Sequence, residues 1–422
     1  MKRIIALLLC LALAAGLLGC TPQEEETPST LQVGFARTDI TPQYSVQLHG
    51  YSGAENRWST NVLDPLCATC IAFTDAEGST ILLYTMDLLY CFSTVVLAKR
   101  DISKATGVPT QNIMIATTHT HSAPDVESND VGMVKYVEFM QEQMVAAAVE
   151  AMADRKPAEM YTTSTRLKNM NFVRHYLMSD GSVVGDNFGD PSGKSYVKHM
   201  READNEMQLV RFTRQGSKDV VLVNWQVHPL RTGGVRAGDI SADLVGAMRM
   251  AMEPELGCHV AYFSGASGDL DPTSRIGSEK LGLDYLEQGA VMAKQAILAM
   301  DTMTKKETGK VQLVRQDQEV MSDDASGEIM LHAFSIGDVA FVTAPYEMFD
   351  TNGMYVKENS PFDTTFVLSN ATAAATYIPA EWAYYDDQIS YEVGKGQYEK
   401  GTGELLAETL AEMLNGIYPT RK

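Results

Sequence analysis

Six short apolar runs, each stopping at a polar cluster, constrain this 422-residue chain more than any other feature. They are residues 80–86 (TILLYTM), 112–117 (NIMIAT), 220–226 (VVLVNWQ), 259–263 (HVAYF), 339–343 (VAFVT) and 365–368 (TFVL). Runs of this length, rich in β-branched residues and without polar alternation, read as strands buried on both faces. Between them, residues 132–153, 240–252, 281–300 and 403–417 carry apolar side chains at three- and four-residue steps, as helices with one buried face do. The alternation predicts an α/β fold: a single large domain over residues 31–422, its sheet or sheets mostly buried and flanked by helices. No period of 20 to 50 residues repeats, and no Pro/Gly/Ser-rich linker divides the body. In open α/β sheets the loops at the carboxyl ends of the strands gather into one crevice, so the active site is expected there.

The first thirty residues have a different purpose. Lys2-Arg3, an apolar stretch over residues 4–18 and Leu17-Leu18-Gly19-Cys20 make an export signal that resembles a bacterial lipoprotein signal. Residues 1–19 are then removed and the Cys20 thiol is diacylated. The apolar stretch is shorter than the roughly 20 residues needed to span a bilayer. Residues 20–30 continue as an acidic, proline-bearing tether with nothing to bury. The expected location is outside the cytoplasm, anchored by lipid to the bacterial cell membrane and facing outward or into the periplasm.

Asp plus Glu total 54 against 34 for Lys plus Arg, a formal charge of −20 that repels phosphate backbones. This excludes a nucleic-acid partner and disfavours a phosphatase or nuclease, for which an Asp-rich two-metal pattern is also lacking. Once Cys10 leaves with the signal and Cys20 carries lipid, only Cys67, Cys70, Cys91 and Cys258 remain. The spacing of Cys67 and Cys70 suits a metal or redox motif, but there is no second pair, and their segment DPLCATCIAFTD reads as a buried strand.

Three of the eight histidines, His119, His121 and His228, fall at predicted strand ends. One histidine beside an apolar run is ordinarily a satisfied core residue; three in the same topological position point to a site. His119 and His121 share a side of an extended segment by the two-residue period, so one can bind a metal while the other faces substrate. Imidazole and carboxylate ligands suit zinc with an open coordination position, and such a metal moves the pKa of bound water toward neutrality. Glu347, in AFVTAPYEMFD, reads either as a buried carboxylate satisfied by a cation or as a helix-start carboxylate behind Pro345. The glycine-rich residues 264–269 read either as a bare turn or as a loop that lets substrate approach the backbone.

In order along the chain, VGFARTDITP, THTHSAP, NWQVHP, SGASGDLDP, APYEMF and TYIPAEWAY followed by SYE resemble the N-terminal catalytic domain of the neutral/alkaline, non-lysosomal ceramidase family. The resemblance runs from Val33 to Ile417. It implies a zinc-dependent hydrolase acting on an amide (N-acyl, ceramide-like) or ester carbonyl of a small-molecule or lipid substrate. One zinc ion per chain would be held by His119, His228, Glu347 and Tyr377. His121 then matches the histidine that contacts substrate or assists catalysis, Tyr391 a second active-site tyrosine, and Arg174 an arginine that orients the substrate's polar group. Two departures stand out. Asp271 occupies the place of a family serine, and a carboxylate does not imitate a neutral hydroxyl. The chain also stops at Lys422, without the immunoglobulin-like domain that ceramidases add. The competing expectation is a non-catalytic surface lipoprotein that binds a lipid or small ligand in the same crevice.

Overall fold

A strand buried on both faces sends alternate side chains into two different cores, and the central strands of this chain do so throughout. The computed structural model describes residues 31–51, 57–233, 238–276, 279–322 and 326–419; the expected export signal, lipidated Cys20 and tether fall in residues 1–30, outside the described residues.

The chain folds as three units of one pattern. In the first, β1 (Gln32–Asp39), β2 (Cys67–Thr74) and β3 (Thr80–Met86) pair antiparallel in sequence order; helix α1 (Ser93–Thr106) then crosses over so that β4 (Ile113–Thr117) lies parallel to β3, and α2 (Val131–Ala153) follows. The second unit repeats this with β5 (Lys156–Arg166), β6 (Glu206–Arg214), β7 (Val220–Trp225), α3 (Asp243–Leu256), β8 (His259–Ser264) and α4 (Tyr285–Met300). The third uses β9 (Val311–Met321), β10 (Ser326–Ile336), β11 (Val339–Ala344), α5 (Asp350–Glu358), β12 (Thr364–Ser369) and α6 (Thr402–Ile417). Pairing of β1 with β5 fuses the first two units into one nine-stranded sheet, in which Thr304–Lys306 adds to β5. The third unit keeps a four-stranded sheet of its own.

The two sheets face each other. Ile71 and Phe73 of β2, Val220 and Leu222 of β7, and Phe341 of β11 fill the core between them. The alternate residues of those strands point outward beneath helices. Ala68, Cys70 and Ala72 meet α1 and α2, Val221 and Val223 meet α3 and α4, and Ala340 and Val342 meet α6. In α2 the buried Met133, Tyr136, Met140, Met144 and Ala147 keep the three- and four-residue step expected of one apolar stripe.

All six apolar runs are strands, within a residue or two of the expected bounds. The helix expected over 240–252 starts instead at Asp243, because residues 239–240 bridge to Asn61–Val62 and the Ala242 N–H is held by the Asp64 carboxylate at 2.7 Å. The one expected over 281–300 starts at Tyr285, where Asp284 and Glu287 form a reciprocal cap. Cys67 and Cys70 are free thiols three apart on β2, so the strand alternation sends them to opposite faces and they form no metal motif.

Candidate metal centre and active-site cavity

The carboxyl ends of the three parallel pairs, β3/β4, β7/β8 and β11/β12, converge, and each contributes a side chain. His228 and Glu347 stand three residues beyond β7 and β11, and His119 two residues beyond β4. His119 has a φ of 65°, left-handed backbone that costs an L-residue about 1–3 kcal/mol. Its N–H donates to the Leu88 carbonyl at 3.0 Å, which fixes the turn. The segment is therefore not extended, as the two-residue period had implied. A tight turn brings the His119 and His121 rings to 5.1 Å between centroids.

Hydrogen bonding fixes which ring nitrogens carry protons. His119 Nδ1 donates to the Leu89 carbonyl at 2.9 Å and His228 Nδ1 to the Ser267 carbonyl at 3.0 Å. A carbonyl only accepts, so each Nδ1 is the donor and Nε2 is the ring nitrogen left to offer a lone pair. These two Nε2 atoms lie 3.1 Å apart, and Glu347 Oε2 lies 3.4 and 3.6 Å from them. Glu347 Oε2 is buried and has no hydrogen-bond partner. Three lone-pair donors facing one another in a buried site repel unless a cation sits among them. Their separations match the edge of about 3.3 Å between ligands of a tetrahedral zinc with bonds near 2.0–2.1 Å. The donor set, two imidazoles and a carboxylate with carbonyls fixing the tautomers behind it, suits that ion.

The His121 ring also approaches the cluster, close enough to complete a group of three histidines able to hold a metal. Both its ring nitrogens are buried without a partner, while its main-chain carbonyl is held by Arg57 at 2.6 Å. Burial first, then the His119 ring, push its pKa well below that of ordinary imidazole, so the ring is neutral. Gly50, at φ 123°, covers it closely; a Cβ there would meet His121 Nδ1 at 2.9 Å.

Glu347 is not a helix-start carboxylate. It forms a two-residue parallel bridge with Tyr377, and α5 begins only at Asp350. Its second oxygen accepts from the Tyr90 hydroxyl. Sequence reading missed Tyr90, although it follows β3 much as His228 and Glu347 follow β7 and β11. The Arg174 guanidinium donates from Nη2 to the Tyr377 hydroxyl at 3.2 Å and to the Gly268 carbonyl at 2.7 Å, and lies against the rings of Tyr377 and Tyr391. Tyr391 opens a short helix, Tyr391–Lys395. The glycine loop is what lets the second unit close on the third: Gly268 N–H donates to the Met348 carbonyl at 2.8 Å, and a Cβ at 268 would meet the Glu347 carbonyl at the same distance. A cavity of about 220 Å³ opens over the cluster, lined by His121, Arg174, His228, Asp271, Tyr377 and Tyr391 among others. Asp271 thus reaches the cavity, with one carboxylate oxygen accepting from the Thr273 N–H at 2.7 Å.

This arrangement of units has solved counterparts. A crystal structure of neutral ceramidase from Pseudomonas aeruginosa superposes with a TM-score of 0.74 at 17% identity, covering 93% of this chain and 76% of that one. The fold is the one seen in neutral ceramidase. A structure of a ceramidase complexed with C2 matches with the same score, identity and coverage. No protein-family model matches the chain, and no curated protein sequence does.

Proposed function

We propose that the chain is a zinc-dependent hydrolase of N-acyl amides. The observation that carries this is the convergence of the His119 and His228 Nε2 lone pairs with the unpartnered Glu347 Oε2, beneath a cavity lined by proton-transfer and hydrogen-bonding groups. His119, His228 and Glu347 hold the ion, with Tyr377 beside them. Zinc so held supplies Lewis acidity and water that ionises near neutral pH. His121, with both ring nitrogens unspent, takes up a proton as the carbonyl is attacked and returns it to the departing amine. Arg174 orients the scissile group, and the Tyr377 or Tyr391 hydroxyl donates to the oxygen that gains charge. The likeness in fold to the two ceramidases supports an amide, and a lipid amide in particular, as the substrate.

The test separates chemistry from metal binding. His121→Asn should retain the ion yet lose at least about 100-fold in turnover of an N-acyl amide. Undiminished turnover in that variant removes His121 from the mechanism. A zinc-loaded wild type that releases no product from a panel of N-acyl amides and esters contradicts the hydrolase reading and leaves a ligand-binding lipoprotein.

A further inference from the structure

The Arg174 side chain carries five N–H bonds, and three have fixed protein acceptors. Nε donates to Glu392 Oε1 at 2.7 Å, while Nη2 serves the Gly268 carbonyl and the Tyr377 hydroxyl. Arg174 lines the cavity, and among the described residues no acceptor takes the two N–H bonds of Nη1, which remain for an oxygen that enters it. The aim of those donors depends on what grips the other edge of the guanidinium. Glu392 does so from a position 1% exposed, and its second oxygen accepts from His175 Nε2 at 3.0 Å. His175 follows Arg174 directly in sequence, so two neighbouring side chains close on opposite oxygens of one carboxylate. His175 is itself fixed: its Nδ1 meets the Tyr385 hydroxyl at 2.9 Å, and its ring packs edge-on to Trp382 and Phe188.

We infer that Glu392, braced by His175, is a positioning residue that aims Arg174 and the Tyr377 hydroxyl at the substrate. Neither Glu392 nor His175 lines the cavity, and neither contacts His119, His228 or Glu347; their effect on the reaction passes through Arg174. The inference rests on the amidase reading for its kinetic consequence and on geometry alone for its effect on Arg174. A displacement of about 1 Å in such a group costs on the order of 100-fold in rate.

Four proteins decide it: wild type, Glu392→Gln, His175→Leu and His175→Gln, whose amide can still donate to Glu392. Each is measured for bound zinc, for kcat and KM on an N-acyl amide, and for solvent exchange of the Arg174 Nε–H by nitrogen-15 NMR. Glu392→Gln should keep its zinc and lose about 100-fold in kcat/KM, chiefly in kcat, with faster exchange at Arg174 Nε. His175→Leu should lose about tenfold, and His175→Gln should recover most of that loss at a similar melting temperature. If Glu392→Gln does not fold, the two His175 variants carry the decision. Parental kcat/KM in Glu392→Gln, or equal losses in both His175 variants, overturns the inference. A wild type with no turnover sinks the amidase reading alone. In that case slow Arg174 Nε–H exchange in wild type and His175→Gln, quickened in His175→Leu, upholds the positioning, and unchanged exchange overturns it.

Discussion

The candidate site is built from residues whose individual environments can each be probed. Tyr90 holds the outer oxygen of Glu347, a second-layer contact of the kind that sets the orientation and basicity of a ligand. Tyr90→Phe should weaken zinc binding about 10- to 100-fold, measured by competition with a chromophoric chelator; unchanged affinity would mean that Glu347 needs no such support. Glu392 makes a statement about pH. Burial alone would raise its carboxyl, but the Arg174 charge and then His175 outweigh burial and hold it at about 2 against an ordinary 4.5. A folded value below the unfolded one adds stability that is complete above about pH 4.5 and is lost as pH falls toward 2, roughly 3 kcal/mol in all. Urea midpoints taken between pH 5 and 3 should fall more steeply for wild type than for Glu392→Gln; parallel slopes would contradict this. His119, His121, His228, Glu347 and Tyr377 could be picked out in the sequence because they stand in short motifs at or near strand ends, and Arg174 only through the family resemblance. Tyr90 could not, since a tyrosine after an apolar run is ordinary and only the fold brings it to Glu347. The same holds for His175 and Glu392, whose pairing joins segments 217 residues apart.

At the scale of elements, legibility followed unbroken apolar character. Strands that are continuous apolar runs were found with nearly correct ends, whereas β1, β5 and β6, whose runs are broken by charged and polar residues, were not. The hairpin β9/β10 was missed as well, because β9 is exposed along much of its length and reads as polar sequence. Helices α1 and α5 were missed for a related reason: each buries only three or four side chains, several of them small or polar, too few to make a visible stripe. Contact between elements yields a prediction in which two effects of opposite sign compete. Gly289 lies in α4 where it crosses α3, and a Cβ there would meet Ala247 Cβ at 2.4 Å and the Leu244 carbonyl at 2.7 Å. Alanine adds up to about 1 kcal/mol of helix propensity, but overpacking against backbone costs about 1–3 kcal/mol, so Gly289→Ala should lower the melting temperature. Gly416, exposed in the last turn of α6 with nothing within 4 Å of a Cβ, has only the propensity gain, and Gly416→Ala should raise it. A pair of thermal melts checks both signs, and the same direction of change in both variants would contradict the packing argument.

For the whole molecule, the threefold pattern is the feature the sequence did not reveal. Corresponding strands β3, β7 and β11 begin at Thr80, Val220 and Val339, 140 and 119 residues apart. That spacing lies far beyond any short repeat, and the three strands keep apolar character without keeping identity. The pattern explains why the site lies where it does. Each unit ends its parallel pair at the same place, so His119 comes from the first unit, His228 from the second and Glu347 from the third. A cation bound there ties all three together, so metal content measures the site directly. Elemental mass spectrometry on the purified protein, beside His119→Ala, should find about one zinc per chain in wild type and close to none in the variant. Wild type that holds no zinc even after the ion is supplied, or a variant that retains it in full, would contradict the metal centre and the hydrolase built on it.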